Sequence, residues 1–253
     1  MNETFRVATY NVAHCKSYVN GNENNIVDVP LTASVIRSLD AQIVGLNEIY
    51  ENGDFAHQPH LTNQTAKLAV HAEFPYHAFA HACTFGANNE DIGNALFSQQ
   101  PITKMQAVEV SAKNERYENE TGYFEDRVIL AVDTKLGDKT VTVLATHFGL
   151  NRSEQEKMVR TLCELIDNRE HPLILMGDFN VSPDSPILAP IYERLTSAAK
   201  ALGKENEKTF ASYDPQITID YIFLSKELEA LDYEVINSPV SDHFPIRATV
   251  KFK

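Results

Sequence analysis

The stretch LILMGDFN, residues 173–180, carries an apolar run straight into a carboxylate and an amide. Side chains of an extended chain alternate faces, so Asp178 and Asn180 project together if the extended form persists beyond Met176. Gly177 beside them permits tight backbone geometry or the close approach of a ligand. A strand closing on an Asp/Asn turn is the plainer alternative. The pattern recurs, however: Asn11, Glu48, His147, Asp220, Asp242 and His243 also stand at or just beyond apolar runs. Each can bind a metal ion, accept a proton or hydrogen-bond, and ligand sites collect at strand ends and the loops they feed. One such position means little; this many predict a site.

Strands and helices must alternate to place them. FRVATYNV (5–12) reads as a first strand, PLTASVIRSLD (30–40) as a helix and AQIVGLNEI (41–49) as a buried strand. TNQTAKLAVHAEF (62–74) predicts a second helix, and GNALFS (93–98) and ITKMQAVEVS (102–111) predict strands. AKNERYENETGYFED (112–126) is a charged hairpin or loop. RVILAVDTKL (127–136) and KTVTVLATHF (139–148) form a hairpin across GDK. SEQEKMVRTLCELID (153–167) is the best helix, with a capping box expected between Ser153 and Glu156 and an apolar face through Met158, Val159, Leu162, Leu165 and Ile166. A helix near PILAPIYERLTSAAKAL (186–202) and strands at IDYIFLS (219–225), EALDYEVIN (229–237) and FPIRATVKF (244–252) complete the chain.

The 253 residues suffice for one large domain, expected to span 1–253, and no repeat or linker interrupts them. Nothing approaches the ~18 consecutive apolar residues of a membrane span, so no stable membrane insertion is expected. The first residues show no basic head or apolar signal core, and Cys15, Cys83 and Cys163 are an odd number without close pairing. A cytoplasmic location follows as the default. The formal net charge is −13, which disfavours a broad basic surface for nucleic acid without excluding a local basic cleft or a metal that neutralises phosphate.

TYNV, LNEI, GNALFS, ATHFGLN, MGDFN, IDYIFLS and SDHFPI, in this order across residues 9–246, together resemble the endonuclease/exonuclease/phosphatase superfamily of metal-dependent phosphoesterases. Its members include deoxyribonuclease I, apurinic endonucleases, neutral sphingomyelinases and inositol polyphosphate 5-phosphatases. The resemblance implies an α/β fold of four layers, α-β-β-α, with two packed, mostly antiparallel sheets between helices. Alternation alone would equally suggest a parallel doubly wound sheet.

For the site, the resemblance implies Glu48 as ligand of a divalent cation, with Asn11 beside it and Asp242 as a further ligand or water-mediated anchor. Such an oxygen set suits Mg2+ (or Mn2+) rather than zinc. Asp178 is the candidate to orient or deprotonate the attacking water, Asn180 to hydrogen-bond the phosphoryl group and His147 to donate to a nonbridging oxygen. Asp220 and His243 resemble the family's Asp–His pair, and either the aspartate or the histidine could be the general base. Asn94, Arg127 and Asn151 are substrate-binding candidates; Arg127 could clamp a phosphate or form an ion pair with Glu125 or Asp126. Apurinic endonucleases carry an acidic ligand where this chain has Ala13, which weakens the link to the DNA-repair branch. His57, His60, His77, His81 and Cys83 offer a minor zinc reading, while His71 fits a helix surface; substrate-pocket shaping is the preferred use of this region.

The expected activity is hydrolysis of a small or medium phosphorylated substrate. A DNA or RNA nuclease is the alternative; a lipid phosphodiesterase or a non-catalytic phospho-ligand binder is less favoured. Oligomeric state is not legible.

Overall fold

A computed structural model describes residues 3–19, 26–52, 62–86 and 89–253. The strands form two six-stranded sheets. The first contains β1 (Phe5–Asn11), β2 (Ile43–Tyr50), β3 (Tyr76–Phe85), β4 (Glu90–Ser98), β11 (Leu228–Val235) and β12 (Ile246–Phe252), in the order β11-β12-β1-β2-β4-β3. The second contains β5 (Lys104–Val110), β6 (Arg127–Leu136), β7 (Lys139–His147), β8 (Leu173–Asp178), β9 (Thr196–Ser197) and β10 (Asp220–Leu224), in the order β5-β6-β7-β8-β10-β9. Each sheet holds one parallel pair, β1–β2 or β7–β8, and every other pairing is antiparallel. That excludes the doubly wound alternative. No helix among the described residues is long and apolar enough to cross a membrane.

Period-two alternation builds the layers. In β8, Ile174 and Met176 face the core between the sheets, where Val7, Ile43, Leu96 and Val143 meet them. Leu173 and Leu175 face the opposite way, onto α3 (Arg152–Asp167), whose Met158, Leu162 and Ile166 are fully buried there. On the first sheet, Ala8, Val44 and Leu46 turn outward against α1 (Val29–Ser38) and α2 (Gln64–His71). Strands covered on both faces read as unbroken apolar runs, which is why LILM shows no alternation. Each fully buried aliphatic side chain of these layers contributes about 1.5–3 kcal/mol.

Several expected elements shift. β3 is an addition to the expected strands: Ala78 and Ala80 pack inward while His77 and His81 point the other way, and neither set is apolar enough to mark a strand. The helix expected over 186–202 breaks into a 3-10 turn, α4 (Ala189–Tyr192), β9 and α5 (Ala198–Ala201). The capping box of α3 lies two residues earlier than expected. Glu154 accepts from the Asn151 backbone N–H at 3.1 Å, while Ser153 gives its N–H and hydroxyl to Glu120 of the charged loop. All three cysteines are free.

Gly177 lies where β8 runs beside β7. Its φ is +142°, and a Cβ there would stand 1.9 Å from the Thr146 carbonyl oxygen. That backbone region is open essentially to glycine alone. Gly177→Ala is therefore expected to cost on the order of 3 kcal/mol or more, a fall in melting temperature of roughly 6 °C or more. A thermal melt within a degree or two of the parent would refute this.

Candidate active site

The two parallel pairs run side by side, and the inward positions at their C-terminal ends bring the polar residues together. Asn11 ends β1, His147 ends β7 and Asp178 ends β8. Asp220, at the start of β10, pairs in register with Asp178. These positions continue the inward series of Val7, Val143, Met176 and Ile222.

Glu48 needs a further device. Regular alternation would send it to the outer face with Leu46. Instead the β2–β4 register shifts between Leu46 and Ile49, and Glu48 adopts φ +57°. This bulge returns Ile49 to the outer core and turns the carboxylate toward β1. Asn11 Nδ2 then donates to Glu48 Oε1 at 2.9 Å and to Asp178 Oδ2 at 3.1 Å, while its Oδ1 accepts from the Ala13 N–H. In this orientation the amide presents nitrogen, not oxygen, to both carboxylates.

His243 stands before β12, with Nδ1 2.9 Å from Asp220 Oδ2 and Nε2 3.5 Å from Asp178 Oδ2. Contacts of 2.9, 3.1 and 3.5 Å thus link Glu48 to His243 through Asn11 and Asp178. The loop carrying His243 is fastened by Ser241, whose hydroxyl donates to the Asn11 carbonyl at 2.7 Å, and by Phe210, which packs on the imidazole at 4.8 Å.

Asn180 does not continue the extended chain. Phe179 turns into the outer core against Phe148 and Tyr221, and Asn180 takes φ +52°. Its N–H closes onto Asp178 Oδ1 at 2.9 Å, and Nδ2 donates to the Phe148 carbonyl at 3.0 Å. A turn, not a strand, brings the two side chains together.

The electrostatics separate the groups. Burial pushes Glu48 upward, but neighbouring groups led by His14, with the Asn11 amide and the His243 cation, outweigh it and hold the carboxyl down to about 2. Asp178 is raised by burial, with Asp220 adding to the rise. His243 is penalised as a cation by burial, yet Asp220 and Asp178 reverse that and raise it. Burial, then the Arg127 charge, push His147 down to about 3. Arg127 Nη1 lies 3.3 Å from His147 Nδ1, and a guanidinium can only donate. Nδ1 must therefore accept, which leaves the ring proton on Nε2.

A neutral His147 has a measurable consequence. Its folded value lies below its unfolded one, so between about 6.5 and 3 the unfolded chain binds the extra proton and stability falls as pH drops. NMR of the imidazoles should show no transition for His147 between roughly pH 5 and 8, and Arg127→Gln should move its titration upward. A mid-range transition in the parent protein would contradict the assignment.

One cavity of about 300 Å3 is lined by Glu48, Asn94, Arg127, His147, Asp178, Asn180, Asp242 and His243, among others. Asn11 and Asp220 lie behind it, fully buried. Asn94 reaches the wall, but its amide already accepts from Asn47 and donates to the Val128 carbonyl, both at 2.8 Å. Arg127 also pairs with Glu125 at 2.7 Å. Asn151 is not part of the lining; it caps α3 and donates to the Tyr123 carbonyl at 2.8 Å. His57 and His60 fall outside the described residues, and His77 and His81 point away from the core between the sheets. Among the described residues, Asp178, Asp220 and His243 form the one group of three or more acidic, His or Cys side chains whose potential ligand atoms all lie within 4.8 Å of one another.

Two contributors escape the sequence reading. Asn47 is fully buried, donating to the Thr146 carbonyl at 2.9 Å and accepting from the Asp178 N–H at 3.0 Å, so it ties the sheets together under the cavity. An Asn inside IVGLNEI is a visible signal. His14 lines the cavity from a short 3-10 turn, with no motif to announce it.

A family model described as the Endonuclease/Exonuclease/phosphatase family matches residues 8–243. No curated protein matches the sequence. Among solved structures, an endonuclease/exonuclease/phosphatase from Beutenbergia cavernae is similar at 22% identity and TM-score 0.78, covering 98% of this chain and 72% of that one. A mannosyl-6-phosphatase from Bacteroides thetaiotaomicron is similar at 19% identity and TM-score 0.71, covering 98% and 100%. The human Nocturnin catalytic domain, with bound sulfate, is similar at 18% identity and TM-score 0.67, covering 100% and 97%.

Proposed function

We propose that this chain, which belongs to the endonuclease/exonuclease/phosphatase family, is a divalent-metal-dependent hydrolase of phosphate esters acting on a small or medium phosphorylated molecule by in-line attack of water. The observation that carries the reading is the convergence of Asp178, His147 and His243 on one cavity that also holds Glu48 and Asp242. In-line displacement at phosphorus needs a proton acceptor, donors for the phosphoryl oxygens and neutralisation of charge, and these groups meet each need.

Glu48 and Asp242 would hold the ion, Mg2+ or Mn2+, with Asn11 bracing Glu48. The donor set fits: Glu48 stays ionised, and Asp242 is raised by burial and by the nearby Glu48 charge, a strain that a hard cation relieves. The Asp178–Asp220–His243 cluster fits less well, because its groups are already turned on one another, His243 Nδ1 to Asp220 Oδ2 at 2.9 Å and Nε2 to Asp178 Oδ2 at 3.5 Å. When bound, the ion supplies Lewis-acid neutralisation of phosphoryl charge.

The remaining work falls to the protein's own groups. Asp178 orients the attacking water and takes its proton. His243 already carries a proton, held by Asp220, so it stabilises the developing oxyanion and leaves the role of base to Asp178. His147 donates a hydrogen bond from its Nε2–H to a nonbridging oxygen. Asn180 gives one amide hydrogen to Phe148 and keeps the second for the phosphoryl group. Its Nδ2 stands 3.2 Å from His147 Nε2; since both are donors, neither hydrogen points at the other nitrogen, and Nε2–H can turn toward Asp178 Oδ2 at 3.5 Å.

Substrate size follows from the cavity wall. Among its described lining residues Arg127 is the one Lys or Arg, and Glu125 already neutralises it. A polynucleotide backbone would find no basic strip among the residues lining the site. The likeness to a mannosyl-6-phosphatase agrees with a compact substrate. The three free cysteines support a cytoplasmic setting.

Turnover of a hexose phosphate, an inositol phosphate, a chromogenic phosphodiester, sphingomyelin, RNA and single-stranded DNA, each with Mg2+ or Mn2+, tests the reading. Small phosphorylated molecules should be hydrolysed fastest, and EDTA should abolish the rate. Preference for a polymer would overturn the substrate class; turnover undiminished by EDTA would overturn the metal.

A further inference from the structure

We infer that His14 is an additional ligand of the metal site, and that its imidazole shifts the site's preference from magnesium toward manganese. The inference rests on the metal-dependent reading above. His14 Nε2 lies 3.2 Å from Glu48 Oε2 on the cavity wall. Ligand atoms bound about 2.1 Å from one ion at right angles lie roughly 3 Å apart, so the pair already has the spacing of neighbouring ligands.

The protein invests in that placement. The ring stacks on Tyr50 with centroids 4.0 Å apart and planes 9° from parallel, which fixes its direction. Ala13, His14 and Cys15 all adopt left-handed backbone, at φ 45°, 57° and 61°. For residues with a Cβ this is unfavourable and persists only where the surroundings over-determine it. The surroundings do: fully buried Gln64 donates to the His14 carbonyl at 2.8 Å and accepts from the Tyr50 N–H at 3.0 Å. Glu48 is itself left-handed within its bulge. Two strained residues are thus held facing each other by buried braces. A partner needed only to balance Glu48 could be any flexible lysine or arginine; an imidazole in a fixed direction suits coordination. Magnesium strongly favours oxygen, whereas manganese, a first-row transition ion at the weak end of the series that binds nitrogen, tolerates an imidazole among carboxylates better than magnesium does.

Pulsed electron paramagnetic resonance of Mn2+ bound to the full chain should show nitrogen modulation that diminishes in His14→Gln. Calorimetry should show Mn2+ affinity falling on the order of tenfold or more in that variant, with Mg2+ affinity changed by no more than about twofold. His14→Asp, which returns an oxygen donor, should restore divalent binding with the preference turned toward Mg2+, and guards against a folding defect in the first variant. Unchanged modulation and affinity in His14→Gln would overturn the ligand assignment while leaving metal dependence intact. Equal losses for both ions would overturn it too, by making His14 a mere charge partner. No binding of either ion to the parent protein would overturn the metal-dependent reading along with this one.

Discussion

Asp178→Asn is expected to lower kcat on the order of a hundredfold or more, with KM for the substrate changed far less, because the residue acts on the proton of the attacking water rather than on bound substrate. The substitution is nearly isosteric and keeps the backbone N–H that donates to Asn47 Oδ1 at 3.0 Å. One side-chain oxygen remains, but the wild-type carboxylate receives donors on both sides: the Asn180 N–H at 2.9 Å on Oδ1 and Asn11 Nδ2 at 3.1 Å on Oδ2. An amide satisfies one side and turns its own N–H groups against the other. A stability loss of roughly 1–3 kcal/mol should accompany the catalytic loss, too small to unfold the protein at assay temperature. Steady-state kinetics beside a thermal melt separate the two effects. Retention of kcat within a factor of ten, in a folded variant, would remove Asp178 from the role of base.

How far the sequence foretells this site depends on how local each cause is. Asn11, His147 and Asp178 are legible because strand alternation and chain direction alone decide that they point inward at strand ends. Asp220 follows the same logic, its register with Asp178 fixed by the apolar inner series through Ile222 and Leu224. Glu48 is found through its motif, not its periodicity, since regular alternation places it on the wrong face. The bulge that corrects it depends on pairing with β4, a contact between distant segments. His14 is invisible for a similar reason: its position depends on Gln64 and Tyr50, which fold against it from elsewhere in the chain. The expectation that Asp178 and Asn180 share an extended strand fails because burying Phe179 with Phe148 and Tyr221 outweighs straight continuation.

The parallel pairs explain why one end of the sandwich is polar. Within β1–α1–β2 and again within β7–α3–β8, the strand ends point the same way and stop beside each other. Ligands gather at the carboxyl ends of such strands because the crossover helix leaves a crevice there. Two crevices placed face to face give one cavity with polar side chains from both sheets. Asn47, bonded to Asn94, Thr146 and Asp178, closes its floor without leaving a buried polar atom of its side chain unmatched.

His243→Ala is expected to cost at least as much in activity, on the order of a hundredfold or more, and also on the order of 3–5 kcal/mol of stability near neutral pH. The imidazolium sits between two buried carboxylates, Asp220 and Asp178. Its folded value is raised above the unfolded one. A raised histidine contributes stability that is fully present below its unfolded value, about 6.5, and is lost only as pH climbs through the folded value. At neutral pH the contribution is therefore still in force, and the substitution removes it. What remains is a pair of buried acids with no cation between them, and Asp178 loses the neighbour that restrained its rise. A carboxyl with a raised folded value costs stability as pH rises above its unfolded value near about 3.9. That cost falls on parent and variant alike, so the variant's deficit should be fully present at about pH 6, where the parent's imidazolium contribution is intact, as urea unfolding would reveal. Parent-like stability at that pH, or a variant that still turns over substrate, would mean that His243 is packed beside the carboxylates without serving as their counter-ion.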